Sequence, residues 1–125
     1  MSDAPHIPTP LMETLRLGKP LTAEVAASDP ERRAGVTIVP LHGDLDHQAS
    51  REGWTPSIPN RTFFLYWREY SRRHIENDWD TAPNDGQWDI RRAEVVGEAA
   101  LEDLLQSWAI PFTALTYSWK TDLPD

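Results

Sequence analysis

The run from residue 62 to residue 70, Thr-Phe-Phe-Leu-Tyr-Trp-Arg-Glu-Tyr, constrains the fold most, because no other stretch is as aromatic. Read as a strand, it puts Phe63, Leu65 and Trp67 on one face and Phe64 and Tyr66 on the other. Read as a helix, it places Phe63, Tyr66, Trp67, Tyr70 and His74 at i, i+3, i+4, i+7 and i+11, with Glu69 and Arg73 in the favourable i,i+4 order. Aromatic propensity favours the strand through about Arg68, with the helix as the competing reading. Ser71 to Asn77 reads as a brief helical turn.

The clearest helix covers residues 98–109. Leu101, Leu104, Leu105 and Trp108 share one face, Glu102 and Asp103 cover the other, and Glu98 sits at the positive end of the helix dipole. Pro111 limits it. Residues 113–119 then alternate, with Leu115, Tyr117 and Trp119 together, as a last strand. Residues 36–41 read as a β-branched strand, and residues 87–92 as another with Trp88 and Ile90 inward. Asp85-Gly86 is a turn signal. Near the start, Thr9-Pro10 opens a short helix with Leu11, Met12 and Leu15 on one face, stopped by Gly18 and Pro20. Residues 21–28 read as a further helical turn, and Ser28 with Glu31 has capping-box spacing. Residues 42–60 read as a long polar loop pinned by Trp54 and Ile58, and long loops invite functional suspicion.

These elements predict one α+β domain over residues 1–125. It has a small, mainly antiparallel sheet of three to five strands and one principal helix packed on a face. Residues 1–9 are expected to form a loose arm and residues 121–125 a short acidic tail. Too few crossover helices exist for a doubly wound parallel sheet.

Charge narrows the partners. Twelve basic residues face twenty acidic ones, for a net charge of -8. Both halves are negative, so nucleic acid and anionic membrane surfaces are disfavoured and a basic protein partner is compatible through steering. Cysteine is absent, which excludes disulfides, thiolate nucleophiles and cysteine-ligated metal and suits a reducing cytoplasm. The first residues carry no secretory pattern, and no apolar stretch approaches the roughly 20 residues a membrane span needs. Six tryptophans are more than such a domain is expected to bury, so one or two belong at a surface.

His42, Asp44, Asp46 and His47 form the tightest group of metal-ligating types. Their order, His-x-Asp-x-Asp-His, resembles the His-x-His-x-Asp-His signature of the metallo-β-lactamase superfamily. Asp44 stands in the place of that signature's second histidine, and the chain is short for that fold. A polar loop is the favoured reading, with no metal or other cofactor expected. Asp78, Asp80 and Asp85 form a second acidic segment near His74. The chain has no phosphate-binding glycine loop, nucleophile elbow or His-Glu-x-x-His. Arg68, Arg72 and Arg73 among Tyr66, Trp67 and Tyr70 form the one basic-aromatic cluster, and neighbouring acids offset its charge.

The leading expectation is a small acidic protein-binding module, an inhibitor or immunity-type protein that masks a basic site on its partner. Its candidate contact residues are Asp44, Asp46, Trp54, Asp78, Trp79, Asp80 and Asp85. The alternatives are a small metal-dependent hydrolase using residues 42–47, or a ligand-binding accessory protein. Edge strands permit a symmetric homodimer without arguing for one.

Overall fold

The aromatic run folds as a strand, and its two-faced character sets the architecture. A computed structural model describes residues 6–41, 44–55, 60–83, 85–121 and 123. In chain order they form α1 (Thr9–Arg16), β1 (Leu21–Val25), β2 (Arg32–Pro40), α2 (Asp44–Glu52), β3 (Thr62–Ser71), α3 (Arg72–Glu76), β4 (Ala82–Pro83), β5 (Gly86–Val96), α4 (Glu98–Ser107) and β6 (Leu115–Tyr117). The fold is α+β. Its single sheet has six strands in the order β4-β5-β3-β2-β1-β6, one more than the upper bound expected from the sequence. Every pairing is antiparallel except the two-residue contact of β4 with β5.

One face of the sheet carries the core. Leu21 and Ala23, Val36 and Ile38, Phe63 and Leu65, and Leu115 are buried there with Met12 and Leu15 of α1 and Leu101 and Leu105 of α4. Helix α1 touches β1, β2 and β6, while α4 touches β5, so two helices share the face that one was expected to cover. Leu101 and Leu105 are fully buried; Leu104 and Trp108 flank them, partly exposed.

Several local expectations are corrected. Residues 21–25 are a strand, because Leu21, Ala23 and Val25 alternate inward; all five residues pair with β2, and Leu21–Ala23 also pair with β6. Ser28 caps no helix; its N–H and hydroxyl both donate to Glu69. Within the supposed long loop, Asp44–Glu52 is helical, and Ala49 is its buried contact. The last strand is only Leu115–Tyr117, bounded by 3₁₀ turns at Phe112–Ala114 and Ser118–Lys120. In β5 the register with β3 shifts between Trp67 and Arg68, leaving Ile90 as an extra residue. That bulge turns Ile90 outward, and it is 44% exposed instead of buried.

Two described residues near the ends of the chain are buried. Ile7 is buried, and its N–H donates to Glu102 at 2.7 Å, so the described part of the arm is fixed. Leu123 of the tail is buried over Gly35, where an added Cβ would come 2.7 Å from its Cδ1. No described helix is long and apolar enough to cross a membrane.

The burial of α4 makes a graded prediction. Leu105→Ala removes a fully buried side chain and is expected to cost about 2–5 kcal/mol. Leu104→Ala, at a partly exposed site, is expected to cost clearly less. Denaturant unfolding of both variants checks the ranking, and equal losses would contradict the packing.

Candidate functional site

The strand directions decide which acidic residues can act together. The β2–β3 connection, with α2, lies at the end of the sheet where β3 begins. The β3–β5 connection, with α3 and residues 77–85, lies where β3 ends. Ten residues of β3 separate the two ends, about 30 Å at ~3.3 Å per residue. The two acidic segments therefore do not converge into one surface.

At the first end, Asp46 is turned inward. Its carboxylate pairs with Arg61, and the two residues are 7% and 4% exposed. Arg61 Nη1 also donates to the Leu41 carbonyl at 3.0 Å, and Nη2 to the Arg16 carbonyl at 3.1 Å. One guanidinium thus joins α1, β2, α2 and β3, and Asp46 is committed to the fold. Asp44 heads α2, and its side chain falls outside the described residues, as do His42 and Gly43. Among the described residues no group of three or more His, Asp or Glu is arranged to hold a metal ion. Trp54 follows α2 at the rim of a cleft of about 330 Å³. It is 40% exposed, and its indole N–H donates to Glu52 at 2.9 Å.

The other end presents its acids to solvent. Helix α3 is opened by Ser71, whose hydroxyl accepts from the His74 N–H. The helix closes with Trp79 N–H donating to His74 O and Asp78 N–H to Ile75 O, the pairing of a Schellman turn. Asp78 occupies the left-handed position at φ 56°, where glycine is usual and another residue costs on the order of 1–2 kcal/mol. Trp79 follows immediately and is 51% exposed.

His74 supports Trp79 from below. The two rings meet edge to face, 5.4 Å apart at 89°. The imidazole lies over Gly86, where a Cβ would meet it at 2.7 Å. Its Nε2 is 3.5 Å from an Asp85 carboxylate oxygen, and its buried Nδ1 has no hydrogen-bond partner. Asp78, Asp80 and Asp85 are all exposed on this segment. The structure thus brings together Asp78, Trp79, Asp80 and Asp85, and separates them from Asp44, Asp46 and Trp54. His74 and Gly86, which set the pose of Trp79, carried no site signal in the sequence beyond the nearness of His74 to the acids.

Within the basic-aromatic cluster, Arg68 is paired, and Arg72 donates to the Pro30 carbonyl at 2.7 Å. Arg68 donates to Asp89 at 2.7 Å and lies 4.2 Å over the Tyr66 ring. Asp89 is held below the usual carboxylate range by its bonds from Arg68 and Arg92. Arg32 stacks 3.7 Å over Trp88 and donates to Glu69 at 3.1 Å. Glu69 is 3% exposed and also accepts from Ser28 N and Oγ, at 2.6 and 2.7 Å. Burial pushes this carboxyl up, but the two Ser28 bonds and Arg32 outweigh it, so its pKa lies below the usual 4.5. Comparison with protein-family models, curated proteins and solved structures finds no match.

The Glu69 site gives a pH prediction. A depressed folded-state pKa stabilises the fold above the unfolded value, and that contribution is lost as pH falls through the folded value. Wild-type stability is expected to fall on acidification below 4.5. Glu69→Gln is expected to be less stable at neutral pH and to lose less over the acid range. Parallel stability–pH curves for the two proteins would contradict the assignment.

Proposed function

We propose that this chain is a non-catalytic protein-binding module that acts in the cytoplasm. In this reading it masks a basic site on a partner protein, as an inhibitor or immunity-type protein does, through the segment from Asp78 to Asp85. The observation that carries the reading is Trp79, half exposed on a hydrogen-bonded turn and braced by His74, with three exposed aspartates on the same segment. A tryptophan held in one pose loses little freedom on binding and supplies a large apolar anchor. The net charge of -8 supports steering toward a basic surface, and the absence of cysteine supports a reducing compartment. Asp46 drops out of the contact surface because Arg61 already holds it, and Trp54 lies at the far end of β3.

The two kinds of residue are expected to act on different rates. Immobilised chain is used to capture a partner from native extract, and binding kinetics are then measured with variants. Trp79→Ala is expected to raise the dissociation rate about 30-fold, the size of a 2 kcal/mol anchor. Neutralising Asp78, Asp80 and Asp85 to Asn is expected to slow association at low salt and to have little effect at high salt. A captured partner that binds both variants as it binds wild type contradicts the surface. Turnover of a small molecule by the chain alone contradicts the functional class.

A further inference from the structure

The outer edge of β5 is long and open. Among the described residues, strand β4 meets β5 only at Gly86 and Gln87, and no other strand lies outside it. Residues 88–96 therefore leave one side of their backbone without a strand partner among the described residues. Edges of this length are usually blunted by proline, lysine or a bulge. This one has neither proline nor lysine; its charges are of both signs, at Asp89, Arg91, Arg92 and Glu94, and its bulge sits at Ile90, toward the β4 end.

The direction of each backbone group follows from Gly97. Its N–H donates to Arg61 O at 2.9 Å, one pair beyond Thr62 and Val96. Alternation then points the N–H and C=O of Val95, Ala93 and Arg91 at β3, and those of Val96, Glu94 and Arg92 at the open edge. The edge-facing positions thus carry an exposed apolar residue, an acid and a base in succession. Val96 is 57% exposed. Glu94 has no ion pair among the described residues. Arg92 holds Asp89 at 2.5 Å yet keeps 57% of its side chain in solvent.

We propose that this edge pairs antiparallel with the same edge of a second copy of the chain, about a two-fold axis at Ala93. In that register Arg92 faces the partner's Glu94, and Glu94 faces the partner's Arg92. Both are edge-facing positions, so each pair exchanges main-chain hydrogen bonds and also forms an ion pair. Ile90 and Val96, two of the exposed large apolar residues, then face one another across the junction. The order base-alanine-acid is self-complementary when reversed, which is why a second copy fits better than an unrelated strand. The added strand ends opposite Ile90, because the chain turns at Gly97 with φ 94°. It stops short of Gln87 and leaves β4 in place.

Sedimentation and native mass spectrometry test this with charge reversals. Wild type is expected to form a reversible dimer of twice 14.3 kDa. Arg92→Glu alone and Glu94→Arg alone each place like charges opposite one another at both pairs, and each is expected to weaken association at least about tenfold. Mixed one to one, the two variants regain both opposite-charge pairs and are expected to form a heterodimer. Glu94→Arg disturbs no ion pair among the described residues, so it carries the single-variant test if Arg92→Glu is destabilised by losing Asp89. Both reversals in one chain are then expected to restore self-association. The proposal is overturned by a wild type that stays monomeric up to about 1 mM, by a dimer that Glu94→Arg does not weaken, or by a doubly reversed chain no more associated than Glu94→Arg.

Discussion

One buried guanidinium organises the end of the sheet on which three helices converge. Taking a charge out of water costs several kcal/mol, and the cost is offset only when the charge finds a close counter-ion and its remaining donors find acceptors. Arg61 meets those conditions with Asp46 and with the carbonyls of Leu41 and Arg16. The acceptors come from three places in the chain: the end of α1, the residue after β2, and α2. The same end is tied again by Arg16, which donates twice to Glu98 at 2.8 and 2.7 Å and so links α1 to the first turn of α4. Position there is set by charge pairing as much as by apolar packing.

The opposite end uses a buried acid in a different way. Glu69 gathers Ser28 and Arg32, fixing the β1–β2 turn against β3, and Arg32 passes on to cover Trp88. Beyond that anchor the chain relies on local backbone bonds. Helix α3 has five residues, and its closing turn holds Asp78 in a left-handed conformation. The helix α4 closes the same way with Ala109 at φ 58°, whereas α1 and α2 use Gly18 and Gly53. The strained residue at α3 is also the one that launches the exposed Trp79.

Periodic patterns were the legible part of the fold. The alternation of Phe63, Leu65 and Trp67 and the spacing of Leu101 and Leu105 each needed only one face to be buried, and both proved decisive for the core. Elements whose partners are charged were not legible. Helix α2 has only Leu45 and Ala49 as apolar residues, and it is held by Asp46 reaching Arg61, 15 positions away. In sequence, residues 21–25 also suit a helix, because Leu21 and Val25 fall on one helical face. Only the pairing of Leu21 with both Ile38 and Tyr117 decides it. The site was half legible for the same reason. Asp78, Trp79, Asp80 and Asp85 are neighbours in sequence and remain so in space, whereas the distance from them to Asp46 depends on the length and direction of β3.

The two acidic segments differ in burial: Asp46 is buried and holds the fold, whereas Asp78, Asp80 and Asp85 near Trp79 are exposed. Denaturant unfolding of Asp46→Ala beside a chain with Asp78, Asp80 and Asp85 all changed to Asn tests this difference most directly. Leaving Arg61 buried without its counter-ion is expected to cost about 3–5 kcal/mol. Neutralising the three exposed aspartates is expected to change stability by no more than about 0.5 kcal/mol for each. A small loss for Asp46→Ala, or a loss of several kcal/mol for the triple variant, would contradict the account.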